Sequence, residues 1–267
     1  MKQVRNDKIA FKHYIKEAAK FIRRYNRPYK KSIAFDRKDA LVIAHRGLSG
    51  LEKENTLTAF ALAGGKGYYG IETDVHKTAD GKYVIIHDDT TGRVAEFDFV
   101  VEQTDFDTLR NLRLKDKNGR VTNNLRIPTL AEYIETCKQY DKIAVLELKN
   151  HFEEADISEI AKIIEGLGYL DKTVFISFDL PNLISVKKLY PNQSAQYLTC
   201  IYEQDLIEKL KKYRLDLDIY YRELNKSRID LLHQNGIKVN CWTVDSKRAA
   251  ERLAAWGVDF ITTNILE

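Results

Sequence analysis

From Leu41 onward a short β-branched run is followed, again and again, by a longer stretch with helical spacing, and no other feature constrains the fold as tightly. Strand candidates fall at 41–45 (LVIAH), 70–75 (GIETDV), 143–148 (IAVLEL), 173–178 (TVFISF), 195–199 (AQYLT), 217–221 (LDIYY), 237–243 (IKVNCWT) and 258–262 (VDFIT). Helical stretches fall between them, at about 56–66, 129–139, 154–167, 181–189, 203–213, 225–235 and 246–256. Strands alternating with helices of this length are βα units around a parallel sheet. Eight units in 267 residues predict an α/β protein with a TIM (β/α)₈ barrel. An open doubly wound sheet is the alternative, but no Gly-x-Gly-x-x-Gly follows a strand, so nothing supports a dinucleotide site.

One run breaks the rhythm. Residues 82–87 (KYVIIH) follow the second strand after only Thr78-Ala79-Asp80-Gly81. Asp-Gly between two extended runs signals a hairpin, and so short a link cannot cross over to a parallel strand. The return strand is therefore antiparallel and sets residue 74 opposite about 86, which brings His87 back beside Glu72 and Asp74. Residues 90–128 are the least regular part, with a short helix at about 104–112, and read as an insertion capping the barrel mouth.

Charge is uneven. Residues 1–38 carry 13 Lys/Arg against 3 Asp/Glu, while the rest carries 30 against 36, so the net +4 belongs to an N-terminal arm. Within the arm, Phe11, Ile15, Ala18, Ile22 and Tyr25 recur at spacings of four and three, the pattern of an amphipathic helix over 7–26. That helix either docks on the barrel, which occupies 39–267, or makes a peripheral membrane contact. The arm lacks the uninterrupted apolar core of a secretory signal, and no run approaches the length of a membrane span. Cys137, Cys200 and Cys241 are too scattered for a disulfide framework and read as buried thiols. A cytoplasmic protein with no nucleic-acid partner is expected.

Chemistry-bearing residues collect at strand ends. His45-Arg46-Gly47 closes the first strand, where a barrel places its active-site loops, and Arg followed by Gly suits an anion. Glu72 and Asp74 share one face of a strand, since side chains alternate with period two, and two such carboxylates repel unless a cation sits between them. Glu147 and Lys149 repeat the spacing at the end of another strand and offer a third ligand and a phosphate contact, or a surface ion pair. His87-Asp88 ends the returning strand, and a histidine there can act as general acid or base. His13, His76, His151 and His233 read as surface residues, Thr56 as a helix N-cap, and Trp242 as either core or pocket wall.

Taken together, His45-Arg46-Gly47, Glu54-Asn55-Thr56, Glu72-x-Asp74, His87-Asp88, Leu146-Glu147-x-Lys149 and Trp242-Thr243 resemble the glycerophosphodiester phosphodiesterase family, over about 41–264. The resemblance implies a TIM barrel and one divalent cation, Mg²⁺ or Ca²⁺, on Glu72, Asp74 and Glu147. It also implies catalytic histidines at His45 and His87, with Arg46 and Lys149 on the phosphate. The expected reaction is hydrolysis of small glycerophosphodiesters to glycerol 3-phosphate and an alcohol. The chain departs from the family pattern at Lys53, where proline is usual, and at Asn264, where many members have aspartate. Rival readings are a lysophospholipase D acting on membrane lysolipids, a metal-independent phospholipase C-like barrel, and a non-catalytic barrel that binds phosphodiesters.

Overall fold

The computed structural model describes residues 29–267. The helix expected over 7–26, and His13 with it, lie outside the described residues. Nine strands appear: β1 (Leu41–Ala44), β2 (Gly70–Lys77), β3 (Tyr83–Ile85), β4 (Ile143–Leu148), β5 (Thr173–Ser177), β6 (Ala195–Thr199), β7 (Asp216–Tyr220), β8 (Val239–Trp242) and β9 (Phe260–Thr263). The helices between them are α1 (Leu57–Gly64), α2 (Phe106–Asn111), α3 (Leu130–Gln139), α4 (Glu154–Gly166), α5 (Leu180–Leu189), α6 (Leu206–Tyr213), α7 (Lys226–Gln234) and α8 (Lys247–Ala255). All strands but β3 pair in parallel, and β1 bonds to both β9 and β2, so eight strands close into a barrel rather than an open sheet.

Parity along the strands builds two cores. Val42, Ala44, Ile71, Val75, Leu146, Phe175, Leu217, Cys241 and Ile261 join the large cluster under the helices. The alternate residues Ile43, Val145, Ile176 and Leu198 form a separate cluster inside the barrel. Each βα unit thus buries both faces of its strand, as parallel sheets require. Further along, the interior turns polar: Asn240 Nδ2 donates to Gln196 Oε1, and Thr262 Oγ1 donates to Asn240 Oδ1, each at 3.1 Å.

β3 runs antiparallel to β2 with Val75 opposite Ile85, which sets residue 74 against 86. Gly81 occupies the turn at φ +77°, a conformation glycine adopts without strain. The regular pairing stops at Ile85, so His87 lies beyond the ladder rather than within a strand reaching 87. Likewise β1 ends at Ala44, and His45 opens the following loop. Val84 of β3 and residues beyond it form a third apolar cluster with Ile86, Val94, Ala95, Val101, Leu109, Leu112, Leu114 and Ile127, which holds the 90–128 segment against the hairpin. Residues 33–35 pair with the last residues of the chain through Ile33 and Phe35.

Candidate active site

Strand register assembles the site. β2 and β4 are neighbours, with Asp74 directly opposite Glu147. Glu72, Asp74 and Glu147 are buried, and one carboxylate oxygen from each lies within 4.8 Å of the others. Lys149, two residues on from Glu147, places Nζ 2.9 Å from Glu147 Oε1 and 3.6 Å from Asp74 Oδ1.

The loop after β1 closes over the acids. Arg46 adopts φ +54° and its backbone N–H donates to Glu72 Oε2 at 2.8 Å. Its guanidinium sits 3.0 Å from Glu54 and 3.5 Å from Asp74. Gly47, at φ +73°, lets the chain double back on α1, where a Cβ would meet the Ala59 backbone at 2.7 Å. His45 Nδ1 is 2.8 Å from Asn264 Oδ1, and its Nε2 points toward Glu72 at 3.9 Å. His87 Nδ1 is 2.7 Å from Asp88 Oδ1, and Arg93 bridges Asp88 to Glu54.

Asn55, which the sequence offered only as the middle of the Glu54-Asn55-Thr56 motif, donates Nδ2 to Asp74 Oδ2 at 2.8 Å and accepts from Thr73 Oγ1 at 2.7 Å. It therefore fixes the Asp74 carboxylate through Oδ2. Thr56 caps α1 as expected. His76 corrects an expectation: it is fully buried rather than on the surface. The turn at Val101–Gln103 folds over the end of β2, and the ring sits 3.4 Å from the His87 carbonyl and 3.6 Å from Glu102. His151 and His233 are surface partners of Asp179 and Asp259. Trp242, at the end of β8, is half-buried, edge-on to Phe178 at 5.6 Å and tilted against Tyr220 at 6.0 Å, and packs against the interior cluster of Ile43, Val145, Ile176 and Leu198.

Electrostatics distinguish the groups. Burial pushes the Glu147 carboxyl up to about 7, with Asp74 adding to the effect and Lys149 opposing it. Burial and the Asp74 charge also push Glu72 well above the carboxylate range. Asp74 goes the other way: burial resists its ionisation, but His87, Arg46 and Lys149 hold it low. Burial, reinforced by Arg46, lowers His45 to about 3 and His87 to about 4, so both imidazoles are neutral at neutral pH.

This donor set fits a hard divalent cation. Three carboxylates converge, Asp74 Oδ1 is buried with no hydrogen-bond partner, and the raised Glu72 and Glu147 show what it costs to gather them without a cation.

These side chains meet at the C-terminal ends of the strands, where TIM-barrel enzymes carry out their chemistry, and acids able to hold a cation beside neutral imidazoles equip a site for phosphoric ester hydrolysis. The chain belongs to the glycerophosphoryl diester phosphodiesterase family, whose sequence model matches residues 45–267. A glycerophosphodiester phosphodiesterase from Caldanaerobacter subterraneus subsp. tengcongensis is 33% identical over 230 residues, covering 84% of this chain and 93% of that protein. Among solved structures, an Oleispira antarctica phosphodiesterase in complex with the product sn-glycerol-3-phosphate is 30% identical, with a TM-score of 0.79 over 84% of this chain and 92% of that one. The Thermotoga maritima glycerophosphodiester phosphodiesterase is 26% identical with a TM-score of 0.68, covering 84% and 94%.

Proposed function

We propose that this chain hydrolyses glycerophosphodiesters to glycerol 3-phosphate and an alcohol in a metal-dependent reaction with two histidines as acid and base. The observation that carries the reading is the register of β2 against β4, which sets Asp74 beside Glu147 in one cluster with Glu72, itself 3.9 Å from His45 Nε2. A divalent cation on Glu72, Asp74 and Glu147, Mg²⁺ or Ca²⁺, would offset the charge that builds on the phosphoryl oxygens.

Arg46 and Lys149 flank the acids and bind the phosphate, each oriented by a carboxylate partner, Glu54 and Glu147 respectively. His45 accepts a proton from the nucleophile, which is water or the substrate's own glycerol 2-hydroxyl. His87 protonates the leaving alkoxide. Their partners suit these roles: His45 Nδ1 meets a neutral amide, whereas His87 Nδ1 meets the Asp88 carboxylate, which favours an imidazolium once the phosphodiester anion is bound. Measuring glycerol 3-phosphate release from glycerophosphocholine tests the reading. His45→Ala and His87→Ala should each lower kcat by about 10² to 10⁴; near-wild-type turnover in both variants overturns the mechanism, and no release by the wild type leaves only a phosphodiester-binding barrel.

A second reading has a specific support. Phe178, 41% exposed just past β5, packs against Trp242, which leans on Tyr220, and Ile201, 46% exposed, follows β6; these apolar groups at the strand ends suit an acyl chain. We infer that lysolipids are the alternative substrates, with residues 1–38 as a basic arm that brings the 39–267 barrel to an anionic surface. A higher kcat/KM on lysophosphatidylcholine than on glycerophosphocholine, and loss of vesicle binding on deleting 1–38, are the expected outcomes of that reading. Among the described residues no helix is long and apolar enough to cross a membrane.

A further inference from the structure

The neutral imidazole of His45 has one proton and two nitrogens, and which nitrogen carries the proton decides whether the ring can act as a base toward the site. Nε2 is the nitrogen turned toward the carboxylate cluster, 3.9 Å from Glu72 Oε2. Nδ1 faces away, toward Asn264 at the end of β9. The chemistry of Asn264 therefore fixes the state of the working nitrogen.

An asparagine amide presents an oxygen at one end and an NH₂ at the other, and the contact with Asp245 selects between them. Asp245 gathers three donors. Its Oδ1 accepts from the Asn264 backbone N–H at 2.9 Å and from Thr263 Oγ1 at 3.1 Å, and its Oδ2 lies 2.7 Å from the Asn264 amide. A carboxylate accepts and does not donate, so the end of Asn264 that meets Oδ2 at this distance is Nδ2. The opposite amide orientation would press two oxygens together at 2.7 Å. Oδ1 therefore faces His45, and at 2.8 Å it requires a proton on Nδ1. Ser49 Oγ lies 2.7 Å from both Asn264 Oδ1 and the His45 carbonyl and has one proton for the two acceptors, so it does not reverse the choice.

The arrangement is held rigidly. Asn264 is buried, its carbonyl accepts from the Gly50 N–H at 2.8 Å, and the His45 N–H donates to the Thr263 carbonyl at 2.8 Å, so β9 carries both the ring's backbone anchor and its side-chain partner. We propose that Asn264, held by Asp245, is a positioning residue that keeps a proton on His45 Nδ1 and so turns Nε2, as the basic nitrogen, toward the site. The use of Nε2 in turnover rests on the phosphodiesterase reading above; the placement of the proton on Nδ1 does not.

The test reads the tautomer directly. Long-range ¹H–¹⁵N NMR of the full chain, without metal or substrate, identifies His45 by the signal lost in His45→Gln. The wild type should show Nδ1 protonated and Nε2 bare. Asp245→Asn frees the amide to turn over and should shift His45 toward the Nε2-protonated form. The exchanged pair Asn264→Asp with Asp245→Asn again puts an acceptor on Nδ1 and should return the proton to Nδ1. In parallel, Asp245→Asn should lower kcat on glycerophosphocholine by on the order of 10²-fold with KM little changed, and the exchanged pair should recover most of it. Nε2-protonated His45 in the wild type, or an unchanged tautomer in a folded Asp245→Asn protein, overturns the proposal. The wild-type spectrum alone decides if the variants do not fold. A correct tautomer with no turnover at all would fault the phosphodiesterase reading and leave the positioning role intact.

Discussion

Asp74 depends on a neighbour for its geometry. Asn55, itself fixed by Thr73, directs one of its oxygens, and groups that orient a metal ligand in this way commonly contribute 10- to 100-fold in affinity. Asn55→Ala should therefore weaken binding of Mg²⁺ or Ca²⁺ by about that factor while leaving the fold intact, as isothermal titration would show; unchanged affinity would mean Asp74 is held by the barrel alone. At this scale the sequence singled out the ionisable side chains that converge and said little about those that hold them. Glu72, Asp74, Glu147, Lys149, His45 and His87 stand out because ionisable residues at strand ends are chemically conspicuous. The roles of Asn55, Asp245 and Asn264 were not legible, because an amide or a lone acid in a loop has many uses, and only the folded contacts, 18 to 219 residues apart in the chain, select one. His76 misled for the same reason: its burial depends on a turn at 101–103 that no periodicity announces.

Loops and turns set where these residues point. Gly47 combines φ +73° with a Cβ position 2.7 Å from the Ala59 backbone, so Gly47→Ala meets both a strained conformation and a clash with α1. The variant should lose at least about 1–3 kcal/mol in denaturant unfolding and most of its activity, since the same loop carries His45 and Arg46. A wild-type midpoint would show that the loop can re-route. The β2–β3 hairpin was legible to the residue, because Asp-Gly chemistry and period-two alternation leave one register. Strand ends were not: β1 and β3 stop short of His45 and His87, whose backbones turn away to reach the site, and hydrophobic patterning does not register where hydrogen bonding stops.

The whole barrel is coupled to the charge it collects. Burial holds Glu147 up at about 7 and Glu72 well above the ordinary carboxylate range, so the folded state holds protons that the unfolded chain releases. Their protonated contribution to stability is fully present below the unfolded pKa and is lost as pH rises through the folded one. His45 and His87, held low in the fold, work the other way up to about pH 6.5, so the metal-free protein should lose stability chiefly between about pH 6.5 and pH 8, and Mg²⁺ or Ca²⁺ should raise its melting temperature most at the upper end, because the cation competes with the glutamate protons. Thermal melts across that range, with and without metal, check the sign. The closed fold itself was readable from eight alternating units, and closure is what the chemistry needs, since an open sheet that separated β2 from β4 would leave Glu147 apart from Asp74. The 90–128 cap was readable only as an irregular insertion, because its small core is assembled from isolated apolar residues rather than from a repeat.

The most direct test is the initial rate of glycerol 3-phosphate release from glycerophosphocholine, measured with a divalent cation, with excess EDTA, and after the cation is restored. Release that stops in EDTA and returns with Mg²⁺ or Ca²⁺ is the predicted result. Release at an undiminished rate in EDTA would contradict the account, because the three carboxylates joined by the β2–β4 register would then have no cation to hold.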